Sequence, residues 1–130
     1  MLTNPDGLNE LTSRIIGCAI RVHREIGPGL LESVYGRCLF IELNGQGLHT
    51  VSGRAINLVY GGVDLGPAFY MDLLVEDKVV VEVKSVATLA PVHHAQLITY
   101  LRLTGKAIGL LINFNVPVLK NGVKRVVNSR

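Results

Sequence analysis

A chain of 130 residues can bury one hydrophobic core but not two, so residues 1–130 are expected to form a single domain. Its 48% hydrophobic and 18% charged content is apolar for a soluble domain of this size and suggests a homodimer, while a net charge of +3 permits a polyanionic partner without requiring one. The start Met1-Leu2-Thr3-Asn4-Pro5-Asp6 lacks the pattern of a signal peptide, and no later apolar run approaches the ~20 residues of a membrane span. A cytoplasmic protein with no membrane association is expected.

From Leu8 to Ile26 apolar residues recur at Leu11, Ile15, Cys18/Ala19, Val22 and Ile26, the period of an amphipathic helix, and Gly27-Pro28-Gly29 stops it. A second helix is predicted from about Leu30 to Asn44, closed by Gly45-Gln46-Gly47. Thr50 to Tyr60 alternates loosely as a strand and meets a turn at Gly61-Gly62, after which Val63 to Pro67 leads into a strand containing Tyr70 to Val75. Val79 to Val86 is a further strand. Pro91 suits the first turn of a helix that runs to Thr104 and ends at Gly105. Ala107 to Ile112 reads as a strand covered on both faces. Asn121-Gly122, between Val118-Leu119 and Val123, predicts a terminal hairpin with Lys120, Lys124, Arg125 and Arg130 clustered as a solvated basic edge or a phosphate-contacting one. Cys18 and Cys38 have no metal-ligand spacing and read as two reduced, buried thiols.

The central pair of strands carries the chemistry. Glu76-Asp77-Lys78 is the only polar stretch available for the turn between them. If those three residues form the loop, Val75 faces Val79, and counting outward sets Asp72 against Glu82, with Lys84 on the same face. Opposed side chains lie roughly 5 Å apart at Cβ, and like charges there repel. A Glu-x-Lys on an exposed strand is common, but the surrounding valines and leucines indicate a covered strand where unpaired charges are expensive. A divalent cation between Asp72 and Glu82 offsets the repulsion, and Lys84, about 7 Å beyond Glu82, flanks it.

Two further groups accompany this hairpin. Glu32 and Tyr35 in Gly29-Leu30-Leu31-Glu32-Ser33-Val34-Tyr35 share a helical face, and Gln96 and Tyr100 lie four apart on the later helix, with His93 one turn earlier. Singly, each has a structural explanation: Glu32 near a helix start favours the dipole, and Tyr35 is a packing residue. Together, Gly29, Glu32, Tyr35, Asp72, Glu82-Val83-Lys84, Ala95-Gln96, Tyr100-Leu101 and Gly109-Leu110-Leu111-Ile112-Asn113-Phe114 resemble the GxxExxY family, a branch of the PD-(D/E)XK nuclease superfamily. Tyr70 stands where that family often has an arginine, and Met71 where the superfamily name has a proline.

The resemblance implies a restriction-endonuclease-like α/β core, a central mixed sheet flanked by helices in the order α-α-β-β-β-α-β with a terminal β-hairpin. It also implies a magnesium site, with manganese as a substitute, formed by Asp72, Glu82, Glu32 directly or through water, and the backbone carbonyl of Val83. Magnesium suits two or three carboxylates with positions left open. Lys84 would orient or help deprotonate the attacking water. Gln96 and Tyr100 would bind the substrate backbone or support the metal ligands, and His93 would join them in binding substrate. The implied activity is metal-dependent hydrolysis of DNA, in preference to RNA, at ends, single strands or branches. A Holliday-junction-type resolvase and a non-catalytic nucleic-acid-binding or scaffold protein of the same fold remain as alternatives.

Overall fold

The computed structural model describes residues 7–128. The expectations for Met1–Asp6 and for Arg130 fall outside them. The amphipathic N-terminal pattern forms helix α1 (Leu8–Ile26), and its buried residues Leu8, Ile15, Cys18, Ala19 and Val22 form one stripe. Helix α2 (Glu32–Gly45) follows after a tight corner. There Gly27 and Gly29 take the positive φ values 70° and 95° that side chains rarely adopt. Tyr35 staples this corner: its hydroxyl donates to the Gly27 carbonyl and accepts from the Leu30 N–H. The ring is fully buried and stacked on Phe114 with centroids 4.6 Å apart. The expected packing role of Tyr35 thus includes setting the position of the α2 N-terminus.

Five strands follow: β1 (Thr50–Tyr60), β2 (Val63–Val75), β3 (Val79–Lys84), β4 (Ile108–Asn113) and β5 (Val123–Val127), with helix α3 (Pro91–Thr104) between β3 and β4. The spatial order is β1-β2-β3-β4-β5. Only β3 and β4 pair in parallel, and the other neighbours are antiparallel. This is the mixed α/β sheet expected. β4 is buried at every position and β3 at every position but Lys84, as a parallel pair between two helical layers requires.

On one face, Ile15 and Ala19 of α1 and Leu39 and Leu43 of α2 pack with Leu73, Val81 and Leu110. On the other, Leu97 and Leu101 of α3 pack with Leu74, Val80 and Leu111. Each such side chain contributes about 1.5–3 kcal/mol by leaving water. The α3 layer sits very close: a Cβ at Gly109 would lie 2.8 Å from Leu97 Cδ1.

β1 and β2 form a long hairpin across Gly61-Gly62, whose φ values of 58° and 81° are those of a two-residue turn. Val63 to Pro67, expected to be a lead-in, belongs to β2. The terminal pair β4–β5 is antiparallel, but Asn121-Gly122 does not make its turn. Those residues close a short 3₁₀ helix, Leu119–Gly122, and Gly122 lacks the positive φ that an Asn-Gly hairpin turn demands. A Cβ at Gly122 would run into the Asn113 carbonyl oxygen, so glycine serves close backbone approach there. Cys18 is a free, buried thiol as expected, whereas the free thiol of Cys38 is only partly buried. Among the described residues no helix is long and apolar enough to cross a membrane.

Candidate active site

The loop Glu76-Asp77-Lys78 joins β2 to β3, and the register is the one counted from sequence: Val75 opposite Val79, Leu74 opposite Val80, Leu73 opposite Val81. Glu76 and Asp77 have φ of 54° and 55°, and the Lys78 N–H donates to the Val75 carbonyl at 2.9 Å. Glu76 also ties the turn to the end of β1: its N–H donates to the His49 carbonyl, and its carboxylate accepts the His49 N–H at 2.6 Å. A turn held on both sides leaves the hairpin little freedom to slip.

The regular ladder stops at Asp72. On the β1 side pairing runs Ser52–Leu73 and Arg54–Met71 but skips the intervening Gly53, whose φ is 67°. On the β3 side the last regular pair is Leu73–Val81. The face presented by β2 also changes there. Leu73 packs in the α1/α2 core, while Met71, two residues away, packs in the α3-side core. Side chains replace the missing ladder bonds: the Asp72 N–H donates to Glu82 Oε2 at 3.0 Å, and the Val83 N–H donates to Asp72 Oδ2 at 2.8 Å. Each carboxylate caps the backbone of the opposite strand, so the two acids expected to face one another are interlocked.

Burial dominates the electrostatics. Glu82 is 6% exposed, and desolvation, followed by the nearby negative charge of Asp72, pushes its pKa up to about 8, against opposing effects of the Asp72 N–H and Lys84. Asp72 is also raised, first by desolvation; the Val83 N–H and Lys84 oppose this, and Glu32 adds to it. Near neutral pH the pair therefore holds a proton that ordinary carboxyls would release. The charge of Lys84 acts on both acids and favours their ionised forms.

Tyr100 approaches the pair from α3. It is 8% exposed, and its hydroxyl pKa is raised by burial, then by the charges of Glu82 and Asp72. Gln96, a turn earlier, is exposed. The ring of His93 acts locally, where Nδ1 accepts the Ala90 N–H at 3.0 Å and caps the start of α3. Glu32 is exposed at the first position of α2 and faces, with Asp72 and Val83, a cavity of about 840 Å³. Of the residues singled out from sequence, Glu32, Asp72 and Val83 belong to the wall of that cavity, and Glu82, Lys84, Gln96 and Tyr100 do not.

The donor set fits a hard divalent cation. Two carboxyl groups, one nearly buried, meet beside a cavity with their pKa values raised in spite of the Lys84 charge, which is the environment in which a cation replaces a proton. Asp72 and Glu82 are the residues able to hold it. Among the described residues no three His, Cys, Asp or Glu side chains form a group close enough to hold an ion together; Glu32 faces the same cavity as Asp72, and its charge adds to the rise in the Asp72 pKa.

Several positioning residues escaped the sequence reading. Ser85 Oγ donates to the Leu30 carbonyl at 2.6 Å and ties the segment before Glu32 to the strand carrying Lys84. Buried Asn113 clamps the chain beyond Lys84: its Oδ1 accepts the Val86 N–H and its Nδ2 donates to the Val86 carbonyl. Gly53 was detectable as a glycine inside a strand, which often marks an interrupted ladder.

No curated protein and no solved structure gives a significant match to this chain. A family model of the PD-(D/E)XK nuclease superfamily matches residues 9–126, a span that includes both helices before the sheet and the entire Asp72, Glu82 and Lys84 constellation. The chain belongs to the PD-(D/E)XK nuclease superfamily.

Proposed function

We propose that the protein is a metal-dependent DNA nuclease that hydrolyses phosphodiester bonds at ends, single strands or branches, working as a single domain in the cytoplasm and as a homodimer. The observation that carries this reading is the interlocked pair Asp72 and Glu82 with Lys84 beside it, in a chain of nuclease ancestry. The Gly29, Glu32 and Tyr35 spacing supports placement in the GxxExxY branch. Tyr35 shapes the corner that precedes Glu32 in support of that motif.

A magnesium or manganese ion held by Asp72 and Glu82, with the Val83 carbonyl as a further oxygen, would supply Lewis-acid stabilisation of charge on the phosphoryl oxygens. Lys84 orients a water for attack and offsets developing negative charge from the flank of the pair. Glu32 acts across the cavity through a bridging water. Tyr100, with exposed Gln96 one turn away, supports the carboxylate pair and steadies the substrate backbone; His93 contributes by holding the start of α3. The basic residues Lys120, Lys124 and Arg125 lie exposed on or near the edge strand β5 and can meet phosphates outside the site.

The test is incubation of labelled single-stranded, duplex and four-way-junction DNA, and the RNA counterparts, with magnesium or manganese, using EDTA and Lys84→Ala as controls. Metal-dependent products from wild type that vanish with either control support the reading. Product size separates end-directed from junction cleavage, and silence on all substrates refutes it.

A further inference from the structure

The cavity beside Asp72 has a composition that metal and phosphate chemistry does not explain. Part of its lining is apolar and open: Leu31, just before α2, is 72% exposed, Ile41 of α2 69% and Tyr70 of β2 61%. The Tyr70 ring pairs with no other ring among the described residues, whereas Tyr35 stacks on Phe114 and Tyr100 lies tilted against Phe69. Arg37, also in the wall, forms no ion pair among the described residues. The remaining wall carries the carboxyl groups of Glu32 and Asp72 and the hydroxyls of Ser33, Ser52 and Ser85.

We infer that this cavity receives one unpaired nucleobase of the substrate strand, adjacent to the phosphodiester at Asp72 and Glu82. The inference rests on the nuclease reading and gives it a substrate class: DNA with at least one unpaired nucleotide at the site. Two carboxyl groups in the wall disfavour a bare phosphate, while the apolar side favours a flat group with low net charge. A base meets both conditions, stacking on Tyr70 between Leu31 and Ile41 and presenting its amino groups to the acidic and hydroxyl side. Arg37 is available to the phosphate that precedes or follows it. The volume of about 840 Å³ lies in the range of small-molecule clefts and accommodates a nucleoside. The cavity meets the carboxylate pair at Asp72, while Glu82 and Lys84 lie outside its wall. A base still paired in a duplex cannot enter, so unpaired strand is selected by access.

The experiment measures binding and cleavage separately, on the full chain. Binding of fluorescent single-stranded and blunt duplex oligonucleotides of equal length is followed by anisotropy with calcium in place of magnesium, for wild type, Tyr70→Ala, Tyr70→Phe and Leu31→Ser. Wild type should prefer the single strand. Tyr70→Ala should weaken single-strand binding by roughly tenfold and leave duplex binding within twofold, since aromatic stacking on a base is of that size. Tyr70→Phe should restore the preference because the ring, not the hydroxyl, makes the contact. Equal affinity of wild type for both forms, or equal losses on both in Tyr70→Ala, overturns the inference and leaves the nuclease reading standing if magnesium-dependent cleavage persists. Loss of all nucleic-acid binding and all cleavage in wild type refutes the nuclease reading and the inference with it. A change of oligomeric state in Leu31→Ser or Tyr70→Ala, measured by sedimentation, in place of a change in affinity would show that the cavity is an interface between copies and overturn the inference as well.

Discussion

The two ends of the β2–β3 hairpin treat acidic side chains in opposite ways. At the turn, Asp77 is exposed and meets two cations, Lys106 at 3.2 Å and Arg54 at 3.6 Å. At the far end, Asp72 and Glu82 are withdrawn from water, placed against each other, and given one flanking lysine for two carboxyls. The first arrangement serves the fold weakly, since exposed ion pairs contribute about 0–1 kcal/mol. The second works against the fold, because burial and mutual repulsion both oppose ionisation. Residues of the same chemical type, in the same hairpin, are thus set by environment into an exposed, paired group and a buried, hard-to-ionise one.

Activity should divide the two ends most sharply. Glu82→Gln and Lys84→Ala are each expected to lower the cleavage rate by roughly 10²–10⁴-fold, the size of a lost acid–base or charge-stabilising contribution. Asp77→Ala should leave the rate within about twofold while the melting temperature moves only slightly. Single-turnover cleavage of all three variants checks this, and a loss in Asp77→Ala comparable to that in Lys84→Ala would erase the distinction.

Stability against pH gives the next contrast. The Glu82 carboxyl titrates near 4.5 in the unfolded chain and near 8 in the fold. Below about pH 4.5 it is protonated in both states and adds no pH dependence. Between those values the unfolded chain releases a proton that the folded chain keeps, so stability falls as pH rises, by at most about 1.4 kcal/mol per pH unit for one group. The raised Asp72 acts in the same direction. Denaturant melts of the metal-free protein from about pH 4 to 9 should show this decline, and Glu82→Gln should flatten it. Asp77→Asn should retain the decline.

A smaller effect sharpens the role of packing. A Cβ at Gly109 collides with Leu97, so Gly109→Ala must push α3 outward or force Leu97 from its rotamer. It should destabilise by about 1–3 kcal/mol. Because α3 carries Tyr100 over the carboxylate pair, activity should fall as well, whereas Gly45→Ala, with open space around it, should disturb neither.

Much of this arrangement was legible in the sequence because local rules and the global fold agree. The helical period, Gly105 and the three-residue loop led to helix ends and a strand register that the structure reproduces up to Leu73 and Val81, beyond which side-chain hydrogen bonds join Asp72 and Glu82 to the opposite strand. The failures have a shared cause: the residue type was read for its commonest local use. Asn121-Gly122 resembles a hairpin turn, but Gly122 is required by the nearby Asn113 carbonyl, a contact distant in sequence. His93 holds the first turn of its own helix through Nδ1, a local use that its spacing from Gln96 did not announce. The interruption at Gly53 lets Asp72 leave the ladder, and it depends on the pairing of β1, whose loose alternation concealed it.

The central claim is that the Asp72–Glu82 pair, whose burial and mutual repulsion oppose ionisation, is a cation site. The direct measurement is thermal unfolding of wild type and Asp72→Asn at about pH 8 to 9, in EDTA and in millimolar magnesium or manganese. An asparagine can still accept the Val83 N–H and can donate to Glu82, so the variant should be more stable in EDTA, by an amount on the order of 1 kcal/mol. Wild type should gain stability from the metal according to its affinity, and the variant should gain less. An Asp72→Asn protein less stable than wild type in EDTA, with no metal-dependent shift in either, would show that Asp72 is only a backbone cap and contradict the account.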